Sequence, residues 1–230
     1  MSRLLARRRL LAVGLSLALA IPILGSTSAT ASDRNFEVLR LRDSGPRVML
    51  AQRVLDVDPR TGVYNRRTKH AVKRFQANRD FAVTGLVNER TWHALERRWV
   101  AIQDARRRID NKYHRIMRIA KNQKGDPYAY GAAGPGAFDC SGLTMYVYRQ
   151  AAGVSMQHTA TAQYRKGDRI SRKQARPGDL VFMHSGGNIY HAGIYAGKGR
   201  ILHASRPGTN VKVDPIWTSS TYYVRILPKR

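Results

Sequence analysis

Cys140 is the only cysteine in a chain of 230 residues, so it must be read either as a small buried hydrophobe or as a reactive thiol. It sits in Phe138-Asp139-Cys140-Ser141-Gly142-Leu143, after a Gly134-Pro135-Gly136 loop. Leu143, Tyr146, Val147 and Ala151 then keep helical spacing as far as Gly153. Cys140 therefore lies at or next to a helix N-terminus, with Asp139 or Ser141 as the cap. Unpaired backbone N–H groups and the positive end of the helix dipole favour thiolate at such a place. A thiolate nucleophile needs a base that can later protonate a leaving group, which directs attention to the seven histidines. His70 and His93 lie in the first half of the chain, His114 on a basic helical stretch, His158 in a polar segment, and His184 at the end of a strand-like run. His191 and His203 flank Gly197-Lys198-Gly199. If those three residues form a hairpin loop, Gly193 pairs with His203, and the two histidines become diagonal neighbours on one face, roughly 7–8 Å apart. A two-residue loop would put them on opposite faces.

The elements that must position these residues divide the chain. Met1 to Arg9 hold four arginines and no acid, Leu10 to Leu24 are nearly all apolar, and Ala29-Thr30-Ala31 follows, the pattern of an export signal over residues 1–31. The apolar run of 15 residues falls short of the roughly 20 that span a bilayer. Its Arg7-Arg8 pair leaves the general and twin-arginine export routes both open. Loss of this segment would lower the formal charge from +26 to +22, spread along the whole remaining chain. Such an excess calls for anionic surroundings; export makes nucleic acid an unsuitable partner and leaves anionic wall polymers.

Residues 36–98 contain an internal echo. Thr61-Gly62-Val63-Tyr64-Asn65-Arg66-Arg67-Thr68 and Thr84-Gly85-Leu86-Val87-Asn88-Glu89-Arg90-Thr91 share the pattern T-G-x-x-N-x-R-T. Each Gly supports a turn and each Asn can cap a helix; with the stripe of Val48, Ala51, Val54 and Leu55 this predicts three short helices. Leu41, Gly45, Val48, Gln52, Leu55, Gly62, Thr68, Phe75-Gln76, Gly85, Thr91-Trp92 and Leu95 strongly resemble the three-helix peptidoglycan-binding domain of bacterial wall hydrolases. Trp92 and Phe75 are expected in its core. Residues 99–115 read as a basic helical linker, with Arg106-Arg107-Arg108 on a solvated face.

From residue 116 to 230 the chain resembles the catalytic domain of NlpC-type endopeptidases, a papain-like cysteine peptidase family. The resemblance is carried by Pro127-Tyr128-Ala129-Tyr130-Gly131, Phe138-Asp139-Cys140-Ser141-Gly142-Leu143, Arg176-Pro177-Gly178-Asp179-Leu180, His191-Ala192-Gly193 and Leu202-His203-Ala204. It implies an α+β fold, with helices packed on an antiparallel sheet, behind the small all-α peptidoglycan-binding domain. It further implies Cys140 as nucleophile, His191 as general base and acid, and His203 as the polar residue orienting His191 without adding a full charge. Thiolate and imidazolium would then stabilise mainly each other. Tyr128, Asp139 and Ser141 match positions that contact the substrate peptide. The expected function is a secreted, wall-associated, monomeric hydrolase, with no cofactor or metal, cleaving peptidoglycan stem peptides after γ-D-glutamate, to diaminopimelate. The competing readings are a catalytically silent wall-anchoring protein, an L,D-transpeptidase, whose cysteine follows its histidine, and a zinc carboxypeptidase, for which ligand spacing is lacking.

Overall fold

The computed structural model describes residues 36–228. The export-signal reading of residues 1–31 lies outside the described residues. Helix α1 (Pro46–Val54) opens on proline, whose missing N–H costs nothing in a first turn. Helix α2 (Arg66–Ala77) is capped by Asn65, which accepts from the Thr68 N–H at 2.9 Å. Helix α3 (Glu89–Asn122) is capped in the same way by Asn88, from Thr91 N–H at 3.0 Å.

The sequence echo is a structural repeat. In each copy a buried glutamine spans the turn. Gln52 accepts the Gly62 N–H and donates to Val63 O and Thr68 Oγ1. Gln76 accepts the Gly85 N–H and donates to Leu86 O and Thr91 Oγ1. Tyr64 of the first copy donates to Gly85 O of the second at 2.8 Å, locking the two together. Val48, Ala51, Val54, Val72, Phe75, Ala94 and Leu95 fill the core between the helices, with Trp92 half-buried at its margin under the Arg47 guanidinium.

The third helix is not short. It runs for 34 residues, about 50 Å, as one piece. Its first turns bury Ala94 and Leu95 in the small module, and its last turns bury Tyr113, Ile116 and Ala120 in the second core. The stretch expected to be a separate linker is its solvated middle, where Arg106, Arg107 and Arg108 are exposed. No glycine or proline interrupts Glu89 to Asn122, so nothing breaks the backbone ladder.

Helices α4 (Cys140–Ala152) and α5 (Ala160–Lys166) precede a six-stranded sheet. Its strands are β1 (Asp168–Ile170), β2 (Leu180–Ser185), β3 (Asn188–Gly197), β4 (Arg200–His203), β5 (Lys212–Pro215) and β6 (Thr221–Arg225). They lie in the order β1-β6-β2-β3-β4-β5, every pair antiparallel. Alternation divides the side chains: Leu180, Phe182, Ala192, Ile194, Leu202 and Val224 pack with α3 and α4, while Val181, Met183, Tyr195, Ile201 and Tyr223 form a second, smaller cluster. Edge strands β1 and β5 are short and rich in charged residues, as edge strands commonly are.

Candidate active site

Cys140 is the first residue of α4. The preceding Asp139 accepts the Gly142 N–H at 2.6 Å, which makes it the cap. Gly142 has no substitute here: a Cβ on it would stand 2.1 Å from the Ala132 carbonyl oxygen, so the loop could not approach the helix. That approach lets Asp139 N–H donate to Ala132 O and lets Gly131 N–H donate to the second Asp139 carboxylate oxygen at 3.0 Å.

Asp139 and Ser141 are both buried and engaged within the protein. Asp139 Oδ1 also accepts from Ser141 Oγ at 3.2 Å and faces His158 Nε2 at 2.9 Å. His158 was not singled out by its sequence setting; only the folded loop brings it to Asp139. Gln163, fully buried, donates to Ser141 O and holds the first turn from α5. Tyr128 is half-buried beside Cys140, and its phenol is pushed up by burial and then by the neighbouring Cys140 and Asp139.

The sulfur of Cys140 accepts the backbone N–H of Ala192, the residue after His191, so the start of α4 packs on strand β3 one position from that histidine. Burial pushes the Cys140 thiol up, and the Asp139 charge adds to this; N–H groups of Ala192, Ser141 and Cys140 itself pull down without reversing it. His191 is held down to about 4, by burial first and by His203 second. Both directions run against a mutually stabilised thiolate and imidazolium. Burial of sulfur and ring favours the neutral thiol and the neutral imidazole.

His191 Nε2 and His203 Nδ1 face each other at 2.8 Å, with the rings nearly perpendicular at 79°. The route to this juxtaposition differs from either hairpin considered above. Gly197 pairs with Arg200, leaving a two-residue turn, but the register shifts between Tyr195 and Gly197, and Tyr195 pairs with Ile201. The extra residue at Ala196 is a β-bulge that cancels the parity change of the shorter turn. The two histidines therefore share a face. Trp217, before β6, covers both rings at centroid distances of 5.7 and 5.4 Å.

Behind His203 stands a charged group that the sequence reading did not include. On β5, Asp214 Oδ2 lies 3.1 Å from His203 Nε2, and Lys212 Nζ lies 3.1 Å from the same oxygen. His203 pairs with Lys212 across β4 and β5, so Asp214, two residues on, shares its face. Burial opposes ionisation of Asp214, but hydrogen bonds from Lys212 and His203 outweigh it and hold the carboxyl below its ordinary value. His203 is lowered by burial, with Asp214 pulling the other way. Recognising Asp214 in the sequence required the β4–β5 pairing, and β5 is too short to announce itself. Among the described residues, no group of three His, Cys, Asp or Glu side chains could hold a metal ion.

A capped helix presenting a cysteine to a histidine-bearing antiparallel sheet, joined to a three-helix module, defines a papain-like α+β domain behind a small all-α one. Residues 125–227 match the model of the NlpC/P60 family, and residues 44–95 that of a putative peptidoglycan binding domain. The chain thus carries an NlpC/P60 domain together with a peptidoglycan-binding domain. It is 49% identical over 101 residues to the probable endopeptidase p60 of Listeria monocytogenes, covering 44% of this chain and 20% of that protein. It is 39% identical over 108 residues to a probable endopeptidase of Mycobacterium tuberculosis, covering 47% of this chain and 27% of that one. The chain thus spans about a quarter or less of the length of these relatives. Among solved structures, the NlpC/p60 domain of the peptidoglycan hydrolase SagA is 38% identical, covering 49% of this chain and 97% of that one, with a TM-score of 0.47.

Proposed function

We propose that this chain is a secreted, wall-associated cysteine endopeptidase that hydrolyses peptidoglycan stem peptides after γ-D-glutamate, at the bond to diaminopimelate. The observation that carries the reading is the sole thiol held at a helix start against the residue that follows His191, with His191 bonded in turn to His203. Cys140 gives its proton to His191 as its sulfur bonds to the amide carbonyl carbon. Backbone N–H groups at the start of α4 receive the developing oxyanion. Collapse breaks the C–N bond, His191 hands the proton to the departing amine, and a thioester remains. Water, deprotonated by His191, then releases the new carboxylate and restores the thiol. Tyr128, Asp139 and Ser141 border the peptide on the thiol side. The module at residues 44–95 keeps the enzyme on its polymer, and the net positive charge adds attraction to anionic wall polymers.

Purified protein incubated with soluble diaminopimelate-containing muropeptides is expected to yield fragments with a new diaminopimelate amino terminus, identified by mass spectrometry. Intact muropeptides would defeat the assignment and favour a silent wall-anchoring protein; cut ends at another bond would defeat the specificity.

A further inference from the structure

We propose that Asp214 is a positioning residue that fixes the tautomers of both histidines, so that Nδ1 of His191 is left unprotonated for the thiol. This inference rests on the Cys140–His191 reading and names the group that makes His191 a base.

Donors and acceptors alternate along the Asp214–His203–His191 chain. An ionised carboxylate has only lone pairs to offer, so the Nε2 of His203 facing Asp214 at 3.1 Å carries the hydrogen. Neutral His203 then has its lone pair on Nδ1. That lone pair faces His191 Nε2 at 2.8 Å, and two lone pairs cannot share so short a contact, so His191 Nε2 carries a hydrogen too. Neutral His191 is left with one lone pair, on Nδ1, the nitrogen not engaged by His203. The opposite order, with hydrogen on Nδ1 of both rings, would point an N–H at the site and leave no base.

The remaining neighbours enforce the same order. Lys212 Nζ, 3.1 Å from Asp214 Oδ2, favours the ionised carboxylate, the only form that is purely an acceptor. Trp217 covers both imidazoles and offers its ring rather than a competing acceptor. Asp214 and Lys212 from β5 are the charged groups acting on His203, and His203 is the titratable neighbour acting on His191. Asp214 is part-exposed while His203 is fully buried, so the carboxylate keeps solvation that the imidazoles lack.

Long-range ¹H–¹⁵N correlation of the histidine rings at neutral pH tests this directly in the full chain. Wild type is expected to show the Nε2–H form at both His191 and His203. Asp214→Ala removes the acceptor and should mix the tautomers at both rings, and should slow iodoacetamide alkylation of Cys140 roughly 10- to 100-fold, the usual effect of removing a carboxylate that orients an imidazole. Asp214→Asn, whose amide can turn an NH2 donor onto Nε2, should likewise admit the Nδ1–H tautomer and slow alkylation. Nδ1–H at either ring in wild type, or unchanged tautomers in Asp214→Ala, would overturn the proposal. Since Cys140 is the sole cysteine, neither readout needs a substrate. Uncleaved muropeptides alongside the expected tautomers would count against the endopeptidase reading alone.

Discussion

Exchanging His191 for glutamine should lower kcat/KM by roughly 10²- to 10⁴-fold while leaving the fold intact, since the loss is that of one general base and acid. Glutamine can still donate to His203 Nδ1, so the packing under Trp217 is preserved. The unmodified enzyme should show an acid limb near pH 4, well below the usual imidazole range, because burial and His203 hold His191 down to about 4. The same depression is a stability statement. His191 takes up a proton near pH 6.5 when unfolded and near 4 when folded, so its contribution is complete above pH 6.5 and is lost as pH falls through 4. The span corresponds to about 3 kcal/mol. Melting temperature followed from pH 7 to pH 4 should fall more steeply in wild type than in His191→Gln. Equal slopes, or an acid limb near pH 6.5, would contradict the buried neutral base.

Replacing Asp179 with alanine should cost about 3–5 kcal/mol, the penalty for leaving buried partners of a removed charge uncompensated. Asp179 is fully buried at the start of the sheet. Its carboxylate receives Arg225 at 2.8 and 3.3 Å, Tyr113 Oη at 2.7 Å and the Arg176 N–H at 3.0 Å. Tyr113 lies on α3 and Arg225 on β6, so one carboxylate ties the long helix to the sheet. Alanine leaves the Tyr113 hydroxyl and the Arg225 guanidinium facing an empty acceptor site. Urea unfolding should register the loss in the catalytic core. A change below about 1 kcal/mol, the size of a solvent-exposed ion pair, would show that water replaces the carboxylate freely.

What could be read in advance followed from local chemistry. Asn65 and Asn88 announce helix starts because a cap needs only a side-chain oxygen three residues before an N–H. Asp139 and Cys140 are legible for the same reason. The continuity of the 34-residue helix was hidden because an exposed, basic middle separates the turns buried in one core from those buried in the other. Asp214 was not visible, because its role depends on β5 pairing with β4, and four residues ending in proline carry no strand pattern of their own. The bulge at Ala196 was hidden too, since turn length and register shift compensate each other and leave the same histidine pairing. Helix-end position suggested an activated thiol; the burial that raises its pKa comes from the packing of strand β3 over α4, which no local pattern encodes.

The central claim is that Cys140 attacks the peptide. It is tested most directly by digesting muropeptides in parallel with wild type and Cys140→Ala, with melting temperatures matched to show that both are folded. New diaminopimelate-terminated fragments are expected from wild type and none from Cys140→Ala. The same fragments appearing at the wild-type rate from Cys140→Ala would contradict it.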